Sequence, residues 1–65
     1  MILIVNGEHH DLAAPTLSEL LTLMEYEGDW LATAVNNEIV HKANREEFRL
    51  SDGDRIEILS PMQGG

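Results

Sequence analysis

The sequence predicts a small α+β domain in which a mixed sheet of four to five strands wraps around one helix. Strand-like segments lie on both sides of a single amphipathic segment, and the first and last of them are the most apolar. Continuous apolar runs are typical of strands buried on both faces, so we expect these two to lie side by side at the sheet centre. Because their connection passes through the helix, the central pair should be parallel.

The first predicted element is a β-hairpin. Met1 to Val5 forms a continuous apolar run rich in β-branched residues. Asn6-Gly7 follows, and this dipeptide is the strongest short-range signal for a tight type I′ turn. Glu8 to Leu12 should return as the second strand, and Pro15 then ends the hairpin.

The helix is predicted to start at a capping box formed by Thr16 and Glu19. Apolar residues with i, i+3, i+4, i+7 spacing form one stripe after it, as expected for a helix face that packs on the core. Gly28 is placed to end the helix in a left-handed conformation. The stripe consists of Leu17, Leu20, Leu21 and Met24.

A second hairpin should follow the helix. Trp30 to Val35 is predicted as the third strand and Glu38 to His41 as the fourth. Asn36-Asn37 lies between them, and asparagine tolerates the positive φ values of a tight hairpin turn.

The last part of the chain is predicted as a connector and a final strand. Lys42 to Arg49 has mixed polarity, so we expect a connector with a helical turn and with Phe48 as its only anchor. Asp52-Gly53-Asp54 is a turn signal. Arg55 to Leu59 alternates as the last strand, with Ile56 and Ile58 pointing inward.

Composition excludes several classes of function. Twelve acidic and four basic residues give a net charge of -8, which would repel nucleic acid and anionic lipid, so neither is an expected partner. The absence of cysteine excludes disulfides, thiol nucleophiles and the iron–sulfur cluster of a ferredoxin. The apolar start is too short for a signal peptide and no segment is long enough to span a membrane, so we expect a cytoplasmic location.

Few side chains indicate a catalytic or metal site. His9 and His10 are adjacent, and neighbouring strand residues point to opposite faces, so they do not predict a metal site. His41 is expected at the surface. Trp30 should pack against the helix end, or serve as a partner contact if it is exposed. The serines lack a base at suggestive spacing, so a hydrolase triad has no support.

The strongest candidate for a functional group is the carboxylate of Gly65. Gly64-Gly65 contributes nothing to a core, whereas glycine can pass through a narrow channel without a steric penalty. We therefore divide the chain into a domain at residues 1–60 and a tail at residues 61–65. The five residues of the tail could span about 17 Å when extended, enough to reach a buried site in a partner.

Several of these features together resemble the ubiquitin-like β-grasp sulfur carriers of the ThiS/MoaD type. They are the strand–turn–strand start, the single helix, the Asn36-x-x-Ile39-Val40 segment, the Asp52-Gly53-Asp54 turn and the terminal Gly64-Gly65. The resemblance covers the whole chain and is closest to the branch that serves thiamin thiazole synthesis. One departure is His41-Lys42, where relatives often have Pro-Arg.

The resemblance implies a carrier protein that is not itself an enzyme. Its partners would be an E1-like adenylating enzyme, a sulfur-donating enzyme and thiazole synthase. It implies adenylation of Gly65 and conversion to a thiocarboxylate, with Gly64 and the preceding residues Pro61, Met62 and Gln63 entering the partner's tunnel. The carrier would bind no cofactor permanently, and ATP and Mg²⁺ would be used by the activating partner.

Three other functions stay open at this stage. One is a carrier that resembles the small subunit of molybdopterin synthase. Another is a ubiquitin-like modifier joined through Gly65 to lysines of target proteins, since activation would proceed through the same adenylate. The third is a β-grasp domain that binds partners without covalent chemistry, which leaves the Gly-Gly end unexplained. The sequence does not identify the direct sulfur donor.

Overall fold

The computed structural model describes residues 1–26 and 30–60. In that part of the chain it contains five strands, one α-helix and one 3-10 helix. The strands form one mixed sheet in the order β2-β1-β5-β3-β4. The elements are β1 (Ile2–Val5), β2 (Glu8–Asp11), α1 (Leu17–Leu23), β3 (Ala32–Val35), β4 (Glu38–Val40), the 3-10 helix (Lys42–Asn44) and β5 (Arg55–Leu59).

The first and last strands are neighbours at the middle of the sheet, as the sequence predicts. β1 and β5 are parallel, with Ile4 opposite Arg55 and Val5 opposite Ile56. The pairs β1–β2, β3–β4 and β3–β5 are antiparallel. A mixed sheet with one helix is therefore confirmed.

One face of the sheet packs against α1 and forms the core. We call it the inner face and the opposite one the outer face. Ile56 and Ile58 point inward as predicted, at 1% and 4% exposure. The other buried apolar residues are Leu3, Val5, Ala14, Leu17, Leu20, Leu21, Leu31, Val35, Val40 and Leu50.

The expectation that β1 is buried on both faces is wrong. Ile2 is 39% exposed and Ile4 is only partly buried, whereas the alternate residues Leu3 and Val5 belong to the core. The reason is that α1 covers one face of the sheet, so the outer-facing residues of β1 retain contact with solvent. The apolar run of β1 therefore indicates its central position in the sheet, although only one face of the strand is covered.

Both hairpin turns have the predicted conformation. Asn6 and Gly7 have φ values of 50° and 85°, and Asn36 and Asn37 have values of 52° and 72°. Two successive positive φ angles define a type I′ turn, whose twist matches that of the flanking strands. Gly53 in the third predicted turn also has positive φ, at 88°.

Thr16 caps the start of α1 as predicted, and the distant connector also binds this end of the helix, whereas the return bond of the capping box, from the Glu19 side chain to Thr16, is not among the hydrogen bonds of the described residues. The hydroxyl of Thr16 accepts from the backbone N–H of Glu19 at 3.3 Å. The N–H groups of Leu17 and Ser18 donate to the carbonyls of Phe48 and Arg45 at 3.0 and 3.1 Å. The first-turn donors, which no intrahelical acceptor can reach, thus have partners.

The end of α1 differs from the prediction. The helix ends at Leu23, and Glu25 takes the left-handed conformation with φ of 63°. Tyr26 N–H reaches the carbonyl of Leu21 at 2.9 Å and Glu25 N–H reaches that of Thr22 at 3.1 Å, which is the Schellman arrangement. The predicted terminator, Gly28, lies outside the described residues.

Four strands are one or two residues shorter than predicted, while β5 has the predicted bounds. β1 begins at Ile2, β2 ends at Asp11, β3 begins at Ala32 and β4 ends at Val40. For β3 the physical reason is clear, because Ala32 pairs with Leu59, the last residue of β5. Strand structure stops where the partner strand stops. The division between a domain at 1–60 and a tail at 61–65 stays a prediction.

The connector contains the expected helical turn but a different anchor. Phe48 is partly buried against the core, yet Arg45 is the more buried residue, at 7% exposure. Its guanidinium donates to the carbonyl of Leu31 at 2.6 Å and to the hydroxyl of Thr33 at 3.1 Å. Thr33 in turn donates to the carbonyl of Val40 at 2.7 Å. The prediction that Phe48 is the only anchor is therefore wrong.

Candidate functional site

The predicted site residues Pro61, Met62, Gln63, Gly64 and Gly65 lie outside the described residues. The described chain reaches the start of that segment through β5 and Ser60. Leu59, the last strand residue, pairs with Ala32 of β3, and Ile58 pairs with Thr33. The surface around this end of β5 is therefore the part of the fold next to the predicted tail.

An exposed apolar patch lies on the outer face near the end of β5. Leu59 is 68% exposed and Ile39 of β4 is 74% exposed. Paired residues of antiparallel strands share a face, which places Leu59 beside Ala32 and Ile39 beside Ala34. We call Leu59, Ile39, Ala32 and Ala34 the outer patch. Exposed apolar groups gathered in this way are typical of protein contact surfaces.

The outer patch was missed by the sequence analysis, although a signal existed. In β5, Ile56 and Ile58 occupy the inward positions, so period-two alternation places Leu59 on the outer face. An apolar residue at a solvent-facing strand position is weak evidence alone, because single exposed apolar residues are common. Only the strand order brings Leu59, Ala32, Ala34 and Ile39 together on one surface.

Trp30 is exposed, which contradicts the expectation that it packs against the helix end. Its exposure is 74%, whereas the next residue, Leu31, is buried at 8%. Leu31 belongs to the core cluster and Ala32 begins β3. The core is thus anchored at this position by Leu31, and the indole is available for contact with another molecule.

The histidines do not form a metal site within residues 1–26 and 30–60, where no group of three or more His, Asp, Glu or Cys side chains could hold an ion. His9 is paired with Ile4 and His10 with Leu3, so the two imidazoles lie on opposite faces. The Nε2 atom of His10 lies 3.6 Å from a carboxylate oxygen of Glu8. His41 is exposed and precedes the 3-10 helix.

Two concave surfaces of the described chain are open depressions. The one on the outer face has a volume of about 410 Å³ and includes Ile4, His9, Arg55 and Glu57 in its lining. A second, of about 630 Å³, lies between α1 and the connector, and Thr22 and Glu46 contribute to its lining. Neither surface gathers the nucleophile, base and oxyanion donors that an acyl-transfer site would need.

Comparison with known proteins agrees with this geometry. The profile of the ThiS family matches residues 3–65. The chain belongs to the ThiS family. The match extends over the Gly64-Gly65 segment and over every described strand except the first residue of β1. The ThiS-family membership also agrees with the five-stranded mixed sheet and single α-helix of the described residues.

Individual relatives support the same membership. The sulfur carrier protein ThiS of Thermus thermophilus is 36% identical over 61 residues, which cover 94% of this chain and 95% of that protein. A thiazole synthase of Paramagnetospirillum magneticum is 33% identical over 66 aligned positions. That alignment covers all of this chain but only 20% of the relative, so this chain spans about a fifth of its length.

Solved structures show the same architecture. The crystal structure of the thiamine biosynthesis protein ThiS from Geobacter metallireducens superposes with a TM-score of 0.84 at 28% identity, with all of both chains covered. A solution structure of a thiamine biosynthesis protein from the same organism gives 0.82 at 26% identity, covering all of this chain and 88% of the other. The predicted ubiquitin-like β-grasp fold is confirmed.

The helices of the described residues are short. The α-helix has seven residues and the 3-10 helix has three. Neither comes near the length and apolar character that would be needed to cross a bilayer.

Proposed function

We propose that this protein is a sulfur carrier of thiamin biosynthesis in which the carboxylate of Gly65 is adenylated, converted to a thiocarboxylate and used as the sulfur source for thiazole formation. The observation that carries the proposal is the ThiS-family match over residues 3–65, which includes Gly64-Gly65. The chain then acts as a protein co-substrate. The catalytic groups, ATP and Mg²⁺ belong to the partner enzymes.

The chemistry requires activation by a partner because a carboxylate is a poor acyl donor. Its negative charge deters nucleophiles, and oxide is a very poor leaving group. Attack of the Gly65 carboxylate on the α-phosphorus of ATP releases pyrophosphate and gives an acyl-adenylate. A sulfide nucleophile then adds to the carbonyl carbon and AMP leaves, which produces the thiocarboxylate. An enzyme that positions both reactants supplies the proximity that this sequence of steps needs.

The proposed sulfur acceptor is a thiazole synthase. A protein of that name contains a segment similar to the whole of this chain. Two functions that occur in one polypeptide in one organism commonly work together when they are separate chains in another. This relationship supports the thiazole branch over the molybdopterin branch, and a pull-down that recovers thiazole synthase would test it.

The outer patch is the proposed contact surface for the adenylating enzyme. It adjoins the end of β5, from which the tail departs, so an enzyme that binds Gly65 also faces Leu59. The chain's net charge of -8 would favour association with a basic surface around that contact. The apolar groups supply affinity, while the surrounding charge supplies steering.

Replacement of Leu59 by glutamine is expected to weaken binding to the adenylating enzyme. Leu59 is 68% exposed, so its loss should change the free energy of unfolding by less than about 0.5 kcal/mol. Removal of an apolar contact at the centre of an interface typically raises a dissociation constant by about tenfold. We expect a similar rise in the KM for the carrier in ATP–pyrophosphate exchange, with kcat unchanged.

The matched control is Leu23→Gln. Leu23 is also an exposed leucine, at 54%, but it lies on α1 and therefore on the other side of the sheet. Its replacement should leave KM at the wild-type value. Equal KM values for the two variants would show that the outer patch is not the contact surface.

The proposed modification is tested by the intact mass of protein purified from sulfur-replete cells. We expect a species in which one oxygen has been replaced by sulfur, and fragmentation should locate the change at Gly65. High-mass adducts on lysines of other proteins would instead favour a modifier. A mature polypeptide that continues beyond Gly65 without processing would contradict the proposal directly.

A further inference from the structure

The two hairpin turns place asparagine at equivalent positions. Asn6 and Asn36 are each the first turn residue, with φ values of 50° and 52°. The turn alone explains why asparagine is suitable there, because its side chain tolerates positive φ. In the structure, however, both side-chain amides also reach sideways to β5. This second set of contacts is not required by a type I′ turn.

The amide of Asn6 binds both backbone groups of Ile58. Its Oδ1 accepts from the N–H of Ile58 at 2.8 Å, and its Nδ2 donates to the carbonyl of the same residue at 3.3 Å. The backbone N–H of Asn6 meanwhile donates to the carbonyl of Ile56 at 2.9 Å. In a regular parallel ladder the groups of Ile58 would bind the continuing backbone of β1. The side chain of Asn6 takes the place of that backbone, because the main chain turns at Asn6-Gly7.

The contact between Asn6 and Ile58 lies close to the end of β5. Ile58 precedes Ser60 by two residues, and on its other edge it pairs with Thr33 of β3. β5 therefore has a neighbour on both sides at Ile58, with Thr33 of β3 on one side and the Asn6 amide on the other. The hydroxyl of Tyr26 also contacts this side chain and lies 3.4 Å from Nδ2 of Asn6.

We propose that Asn6 is a positioning residue that fixes where the C-terminal segment leaves the fold. We call the two hydrogen bonds between the Asn6 side chain and the backbone of Ile58 the clamp. The functional part of this inference rests on the proposed function, whereas the clamp itself does not depend on it. Without the clamp, the last residues of β5 would fray, and the segment leading to Gly65 would be longer and less defined in direction. Binding to the adenylating enzyme would then have to order those residues, which weakens association.

Asn36 provides a matched control within the same strand. Its Oδ1 accepts from the N–H of Arg55 at 3.1 Å, and its Nδ2 donates to a carboxylate oxygen of Asp54 at 3.0 Å. Arg55 begins β5, three residues before Ile58. Asn36 thus has the same residue type, the same turn position and the same kind of contact, but it holds the start of the strand.

The experiment compares Asn6→Gly with Asn36→Gly. Glycine permits the positive φ of each turn and removes the side-chain contacts, and the extra backbone freedom that it brings is common to both variants. Amide hydrogen exchange should accelerate by at least about tenfold at Ile58 in Asn6→Gly, while the same variant leaves Arg55 closer to wild type. In ATP–pyrophosphate exchange, Asn6→Gly should raise the KM for the carrier by about tenfold with little change in kcat, because chemistry at a bound Gly65 is unaffected. Asn36→Gly should leave both constants near wild type.

A second variant separates the clamp from a general loss of stability. Asn6→Asp tolerates positive φ and keeps an acceptor for the N–H of Ile58, but its carboxylate cannot donate to the Ile58 carbonyl. Its KM and its exchange rate at Ile58 should fall between those of wild type and Asn6→Gly. This variant also serves if the glycine variant does not fold.

The outcomes are distinguishable. Exchange at Ile58 that is no faster in Asn6→Gly than in Asn36→Gly would overturn the clamp, whatever the activation assay gives. Faster exchange with an unchanged KM would overturn the positioning role. If the wild-type chain is not adenylated at all, the proposed function fails and the positioning role fails with it, while hydrogen exchange still decides whether the clamp exists.

Discussion

The Gly64→Val variant is expected to fold normally and to lose adenylation almost completely. Position 64 lies five residues beyond Leu59, the last residue of β5, and glycine has no side chain to pack in a core, so we expect the substitution to leave folding unchanged. If the tail enters a narrow channel of the partner as we propose, an isopropyl group beside the carboxylate of Gly65 would not pass through it, and valine at this position also restricts the backbone. We expect ATP–pyrophosphate exchange to fall by at least about a hundredfold, as when the reacting group is held out of position.

Side chains of increasing size at position 64 test whether steric exclusion causes the loss of adenylation. Gly64→Ala adds one methyl group and should retain more activity than Gly64→Val, because steric exclusion increases with side-chain volume. The thermal unfolding midpoint should be the same for wild type and both variants. Wild-type exchange rates in the valine variant would remove the main argument for a threaded tail.

The Arg45→Ala variant is expected to lose a large share of the protein's stability. Arg45 is only 7% exposed, and its guanidinium donates to the Leu31 carbonyl and the Thr33 hydroxyl. Its removal leaves a buried carbonyl without that donor, which costs about 1–3 kcal/mol, and also removes the packing of its aliphatic stem. The expected loss of about 2–4 kcal/mol compares with a total stability of about 3–10 kcal/mol for a domain of this length. Urea denaturation measures the difference.

Two other substitutions test whether the buried network is responsible. Arg49 is exposed, so Arg49→Ala should change the free energy of unfolding by less than about 0.5 kcal/mol. Arg45→Lys keeps the charge but lacks the planar fork that reaches two acceptors, so it should recover only part of the loss. A loss in Arg45→Ala as small as that of Arg49→Ala would contradict the assignment of Arg45 as an anchor.

Much of the fold could be predicted because its signals are local. The apolar runs of β1 and β5, the Asn6-Gly7 turn and the Thr16 cap each depend on a few neighbouring residues. The parallel central pair followed from two such runs and the rule for crossover connections. The candidate site at Gly64-Gly65 came from composition at one end of the chain and from resemblance, and its chemistry remains a proposal.

The features that escaped prediction depend on distant partners. Arg45 resembles a solvent-exposed connector residue until the carbonyl of Leu31 and the hydroxyl of Thr33, 14 and 12 residues away, are placed beside it. The predicted end of the helix was wrong because Glu25 adopts the left-handed conformation that is usually found in glycine, in a cap completed by Tyr26. Local preference alone pointed to Gly28.

The sequence by itself determined the order of the elements, the turn types and the candidate tail, since each is written in short segments whose backbone preferences are intrinsic. Only the tertiary structure decided that Asn6 meets Ile58, 52 residues along the chain, and that Leu59 and Ile39 share one surface. The physical reason is that hydrogen bonds and contact surfaces require proximity in space. For residues so far apart, proximity is produced by the packing of the whole sheet on its helix.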